Sequence, residues 1–299
     1  MHIRYGYKIE VVCEQSIPLI TMLDIHPGRR SDVTQPDDMV AIAIANDCAV
    51  DTSEIYQDQF GNICRRVMAP AGGVILEAEG IVHDSGFVDV QHPGAMDLPP
   101  EELPSETLVF LLGSRYCETD RLASHSWAMF GGIVGGWEKV QAVCDYVHHH
   151  IRFDYGLARN TRTAAEAFEE RVGVCRDFAH LAITLCRGLN LPARYCTGYL
   201  GDIGVEVDPN PMDFSAWFEV FLDGQWMTFD ARHNAPRIGR ILIAQGRDAT
   251  DVPIINSFGS HYLRRFDVIT EEVTGARYPV SAHIRRDHWS QHGTFGEES

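Results

Sequence analysis

The chain has 299 residues, and its 42 Asp and Glu against 25 Lys and Arg give a formal charge of −17. That surplus of carboxylates argues against a nucleic-acid backbone or an anionic membrane as partner. A composition that is 45% hydrophobic and 10% aromatic excludes a wholly disordered chain. No apolar run reaches the roughly 18 residues that a bilayer crossing needs, and the first residues lack the apolar segment of a secretory signal. The eight cysteines include no C-x-x-C pair. Reduced thiols in a cytoplasmic protein, with no structural metal and no disulfide framework, are therefore expected.

At roughly 150 residues per domain the length suggests two domains. Residues 1–92 read as a β-sandwich-like unit. Short alternating or apolar runs (Ile3–Val12, Met39–Ile44, Gly73–Val82) are separated by turn signals at Pro27-Gly28, Asn46-Asp47, Gly61-Asn62 and Asp84-Ser85-Gly86. Residues 93–105, with prolines at 93, 99, 100 and 104, read as a linker. Residues 106–280 form a second, α+β unit, and the polar stretch 281–299 a tail.

Within the second unit Trp137, Val140, Cys144, Val147 and Ile151 recur at helical spacing. Thr163-Ala-Ala-Glu166 fits a capping box. A helix over 174–189 is stopped by Asn190-Leu-Pro192. Strands follow at 193–200, 214–222 and 225–231.

Cys175 sits where the glycine-containing loop Arg171-Val-Gly-Val meets that helix. The positive end of the macrodipole and the neighbouring Arg176 favour a thiolate there, which is the nucleophilic form of cysteine. Backbone N–H groups of the same turn are suited to receive an oxyanion. Further on, Asp223-Gly224 is a two-residue hairpin signal. Pairing Leu222 with Gln225 puts Trp217 opposite Asp230 and Ser215 opposite Arg232, on one face of the hairpin.

Four ordered segments, Gly173-Val-Cys-Arg-Asp-Phe-Ala-His180, Leu191-Pro-Ala-Arg-Tyr195, Ala216-Trp-Phe-Glu-Val220 and Trp226-Met-Thr-Phe-Asp230, resemble the bacterial transglutaminase-like superfamily. The resemblance spans about residues 135–259. It implies a papain-like core, helices packed on an antiparallel sheet, with a Cys-His-Asp triad. Cys175 matches the nucleophile and Asp230 the orienting carboxylate, while the triad histidine position holds Ser215. A serine hydroxyl has no basic site near pH 7 and does not replace imidazole as a base.

Two other histidines bear on this gap. His180 points away around its helix. His233 projects from the opposite face in the counted register, unless a bulge or an early strand end returns it to the site as a relocated base. Arg232 is a second cation available to Asp230. Trp217 and Asp213, beside the serine, are the expected substrate contacts. The run His148-His-His150 suits a solvated helix end better than a metal.

The resemblance implies a cysteine-dependent amide hydrolase or acyltransferase working through a thioester on a peptide or protein substrate. Hydrolysis is preferred to cross-linking, and no metal or organic cofactor is implied. A catalytically silent binding or scaffold module is the rival.

Overall fold

The computed structural model describes residues 1–35, 38–209 and 211–273, so the polar stretch 281–299 lies outside the described residues. In β1 (His2–Val12) every second side chain, Ile3, Tyr5, Tyr7, Ile9 and Val11, is buried, as the two-residue strand period requires. Strands continue as β2 (Ile17–Thr21), β3 (Val33–Gln35), β4 (Val40–Ala43), β5 (Ala49–Val50), β6 (Glu54–Gln57), β7 (Ile63–Ala69) and β8 (Val74–His83). Turn signals at Asp47 and Gly61 coincide with positive φ values of 56° and 82°.

Helices then appear: α1 (Thr119–Phe130), α2 (Gly136–His150), α3 (Ala164–Glu170) after the short β9 (Arg152–Phe153), and α4 (Cys175–Gly188) after β10 (Val172–Gly173). Helix α2 buries Trp137, Val140, Cys144 and Val147, and Ile151 just beyond it is buried too. At α3 the capping box forms as its sequence implies. The Glu166 N–H donates to Thr163 Oγ1 at 3.3 Å, and the Thr163 N–H to Glu166 Oε2 at 2.9 Å. Asn190, at φ 63°, turns the chain out of α4.

The remaining strands are β11 (Ala193–Tyr199), β12 (Ser215–Leu222), β13 (Gln225–Phe229), β14 (Ile241–Gly246), β15 (Ile255–Ser257) and β16 (Tyr262–Glu272). An antiparallel sheet in the order β13-β12-β11-β14 carries α4 against β11 and β12, with α1, α2 and α3 packed around that helix. This is the α+β core. Two further antiparallel sheets have the orders β16-β1-β8-β4-β5, with β3 also on β8, and β15-β2-β7-β6. None of the described helices is long and apolar enough to cross a membrane.

Two features differ from the division at 92 and 106. Strands β15 and β16, read from sequence as part of the second unit, pair with β2 and β1, and one buried apolar core runs through both regions. Residues 93–105 are not a free tether either. The Gly94 N–H donates to Glu138 Oε1 at 2.8 Å, Lys139 Nζ lies 2.7 Å from Asp97, and the Ala95 and Met96 carbonyls accept from Trp137 and Asp223. Proline removes donors from this stretch but leaves its carbonyls and side chains able to dock.

Candidate active site

Cys175 opens α4, and its neighbours explain how it is held. Asp177, in the first helical turn, accepts the Val174 N–H at 2.9 Å and Arg162 Nη1 at 3.1 Å, with its own side chain 0% exposed. A carboxylate at a helix N-terminus is also favoured by the macrodipole. A Cβ at position 173 would stand 2.6 Å from the Asp177 Cβ, so this approach needs Gly173. The buried Arg162–Asp177 pair thus fixes both the loop and the helix start.

Around the sulfur the balance of effects differs from the sequence expectation. Burial pushes the Cys175 thiol up to about 11, and the Asp213 carboxylate adds to it. Arg232 and the N–H groups of Ala216 and Arg176 pull the other way without prevailing. The Arg176 guanidinium is engaged elsewhere: it donates to the Arg159 and Asn160 carbonyls and lies 3.5 Å from Asp177. Interaction with Ala216 places the start of β12 at the thiol. Ser215, the first residue of that strand, is buried on a cavity wall.

The hairpin forms as counted. Asp223 and Gly224 take φ values of 47° and 78°, and Leu222 faces Gln225. The ladder ends, however, at Phe218 opposite Phe229, one step before the pair expected at Trp217 and Asp230. The chain then turns back on itself, with the Asn234 N–H donating to the Asp230 carbonyl at 2.8 Å. Both the Arg232 and His233 N–H groups donate to Asp230 Oδ1 at 3.0 Å. His233 therefore does not project from the far face. Its Nδ1 lies 2.8 Å from Asp230 Oδ2, which also accepts Arg240 Nη2 at 2.9 Å.

Burial opposes ionisation of Asp230, but Arg240 and His233 hold its carboxyl well below the usual range. Arg240 lies outside every motif read from the sequence. It is also held by Asp89 at 3.0 Å. Arg232 turns away from Asp230, stacking 4.0 Å over the Phe153 ring with Asp208 at 3.7 Å. Its carbonyl meets His148 Nδ1 at 2.8 Å.

The other expectations sort clearly. Trp217 is no surface for substrate: it is 2% exposed, with the Arg240 guanidinium 5.2 Å from its ring centre. Asp213 does line the cavity. The protein crowded around it pushes its carboxyl up to about 6, against donation from the Phe214 N–H at 2.7 Å and the charge of Arg232. His180 is buried, accepts the Ala249 N–H at 3.1 Å and stacks on Tyr116. Burial drives its pKa down to about 3. His149 and His150 each engage a separate backbone carbonyl, Asp145 at 2.6 Å and Phe168 at 2.7 Å. Among the described residues no group of three His, Cys, Asp or Glu is placed to hold a metal ion.

A cavity of about 700 Å³ lies beside these groups. Its walls come from residues 200–209 and 211–215, the 232–233 turn, Tyr155 and the last seven residues of β16. The sequence held no local signal for it, because its walls come from four separate segments spread between residues 155 and 272.

Residues 117–231 match the family model of the Transglutaminase-like superfamily. A solved protein of Cytophaga hutchinsonii, designated a "putative cysteine protease", superposes with a TM-score of 0.77 at 27% identity, covering 93% of each chain. An uncharacterized protein of Mycobacterium leprae is 30% identical over 113 residues, 36% of this chain and 39% of that one. An uncharacterized protein of Mycobacterium tuberculosis strain H37Rv is 35% identical over 102 residues, 29% and 31% of the two chains. The similarity thus spans less than two-fifths of these curated relatives.

Proposed function

We propose that this chain, whose residues 117–231 are a transglutaminase-like domain, is a cysteine-dependent amide hydrolase in which His233 replaces the histidine that position 215 lacks. The observation carrying this reading is the 2.8 Å contact between His233 Nδ1 and Asp230. A carboxylate on Nδ1 fixes the tautomer that leaves Nε2 free as a base. His233 shares its cavity wall with Ser215, Asp213 and Arg232. The last two are the side chains whose charge acts on Cys175. Apo geometry of a catalytic pair is commonly loose and tightens around substrate.

In the forward step the Cys175 proton passes to His233 Nε2 as sulfur attacks the amide carbon. The resulting oxyanion is met by N–H groups near the sulfur, for which Arg176 and Ala216 are the candidates. Collapse expels the amine with the proton from His233 and leaves a thioester on Cys175. Water then attacks, again giving its proton to His233, and the thiol is restored as the acid departs. A peptide or protein amide is the substrate class, and a primary amine in place of water would make the same thioester an acyl-transfer intermediate.

One observation favours the silent module instead: a thiol pushed up to about 11, with a serine where the family's imidazole stands. The readings separate on the pH dependence of Cys175 alkylation by iodoacetamide and on turnover of peptide p-nitroanilides. The catalytic reading expects His233→Ala to lower turnover by about 10²–10⁴-fold, the usual contribution of a positioned base. Equal turnover and alkylation in wild type and His233→Ala would remove it.

A further inference from the structure

Between β8 and residue 93 the chain leaves apolar side chains outside and turns an acid inward. Phe87 is 81% exposed and Val90 68%, while the Asp89 side chain is 14% exposed. Hydrophobic burial alone would choose the reverse. Backbone contacts fix this orientation. The Asp89 N–H donates to the Arg237 carbonyl at 2.8 Å, and Asp89 Oδ2 accepts the Arg237 N–H at 2.9 Å. The carboxylate then meets Arg240, whose Nε lies 3.0 Å from each of its oxygens.

Arg240 is divided between two acids. Its Nε serves Asp89, and its Nη2 donates to Asp230 Oδ2 at 2.9 Å. Its Nη1 is buried without a hydrogen-bond partner among the described residues. The side chain is 8% exposed and the Trp217 ring centre lies 5.2 Å away, so little solvent screens the charge. Asp230 Oδ2 is also the oxygen that meets His233 Nδ1 at 2.8 Å. Arg240 and His233 therefore compete for one oxygen, and a group that draws Arg240 away strengthens the hold on His233. Of Asp89, Arg240, Asp230 and His233, only Asp230 falls within the family match at 117–231.

We propose that Asp89 and Arg240 are positioning residues of this site. Asp89 draws the Arg240 charge off the Asp230 carboxylate, which leaves that carboxylate able to orient His233 and to support its cationic form when the Cys175 proton arrives. The part played in turnover rests on the catalytic reading above; the control of charge at His233 does not. A segment that follows β8 thereby sets the strength of a base in the α+β core.

The two ends of this chain of charges act with opposite signs. Asp89→Asn keeps the shape of the side chain and removes a negative charge, so Arg240 acts undivided on Asp230 and protonated His233 loses support. Arg240→Gln removes a positive charge beside the carboxylate, and protonated His233 gains support. The other charged and titratable groups near His233 are untouched in both. On the cavity walls these are Arg232, Asp213, Tyr155, Asp202, Asp208, Asp267, Glu271 and Glu272, with Cys175 beside Asp213 and Arg232. Around the turn they are Arg237 and His148.

The test compares full-length wild type with Asp89→Asn, Arg240→Gln and the charge-keeping Arg240→Lys. One readout is kcat/KM for a peptide p-nitroanilide against pH. The other is titration of the His233 ring C–H signals by proton NMR, assigned with His233→Ala. Asp89→Asn should move the titration midpoint and the acid limb of kcat/KM down by about 0.5 pH unit or more, and Arg240→Gln should move both up by at least as much. Arg240→Lys should lie nearer to wild type than Arg240→Gln does. A merely structural role would lower activity in every variant without displacing the midpoint in opposite directions. Midpoints that stay in place, or that move the same way in Asp89→Asn and Arg240→Gln, overturn the proposal. Where Arg240→Gln does not fold, Asp89→Asn decides, and an unmoved or raised midpoint in that variant refutes it. Displaced midpoints in a protein without turnover would refute the catalytic reading alone. Turnover with unmoved midpoints would refute the positioning role alone.

Discussion

Asp213→Asn offers a perturbation whose two effects are worked from one carboxyl. The native group is pushed up to about 6 from an ordinary value of 3.8 by protein crowding, against the Phe214 N–H and Arg232. A folded pKa above the unfolded one means that the native state holds the proton longer. Stability therefore falls as pH rises from about 4 to about 6, and the penalty is complete above that window. Two units correspond to about 3 kcal/mol, but Asp213 keeps contact with solvent, and screening reduces the figure to about 1 kcal/mol. Asparagine removes the charge, so the variant should gain about 1 kcal/mol at pH 7.5 and nothing at pH 4. For a chain of this size that is about 2 °C in thermal midpoint. The same change removes a negative charge that raises the Cys175 thiol. Iodoacetamide should then modify Cys175 faster at pH 8, with a pH profile displaced to lower values. Thermal melts at the two pH values and the alkylation profile are the assays. A variant no more stable at pH 7.5, or one whose advantage persists at pH 4, would refute the reasoning.

Other consequences follow from the buried charges. Asp230 is held ionised below its unfolded value, so its stabilisation is present above about pH 4 and is lost as pH falls through the folded value. Asp230→Asn should cost about 3 kcal/mol at pH 7, since Arg240 retains Asp89, and the difference should shrink in acid. A constant difference across the range would contradict this. Arg162→Met leaves Asp177 with the Val174 N–H and, among the described cations, Arg176 at 3.5 Å, and urea unfolding should show a loss of about 3 kcal/mol. A loss below about 1 kcal/mol would mean that the pair does not anchor the helix start. Trp217→Ala should destabilise by about 3–5 kcal/mol through lost packing. Unchanged stability with an altered KM would restore Trp217 as a substrate contact.

Much of the core could be read from short-range pattern because its causes are local. The capping box at Thr163 and Glu166, the α2 stripe from Trp137 to Ile151 and the Asp223-Gly224 turn each need only neighbouring residues, and each forms as read. The site was legible up to the point where counting depends on where a ladder stops. Alternation assigns faces only while pairing lasts, and pairing ends at Phe229. The turn that follows carries His233 onto Asp230, a step that periodicity does not encode. Thiol character failed for a related reason: a helix N-terminus and an adjacent arginine are visible in sequence, but burial of the sulfur and the approach of Asp213 are tertiary. Strand β16 was assigned to the wrong unit because its partner β1 lies some 260 residues away, and no local signal announces such a pairing.

That long pairing also sets an order of events during synthesis. β1 leaves the ribosome some 260 residues ahead of β16. At about 5–20 residues per second, the interval between them is on the order of 15–50 s. Until β16 arrives, β8 is the one sheet neighbour that the described residues offer β1, and the edge destined for β16 stays open. Open edges recruit other chains, and sequence-distant closure is slow to form. β1 and the strands beside it are therefore committed to wait, and their sheet closes only when residues beyond 260 return to them.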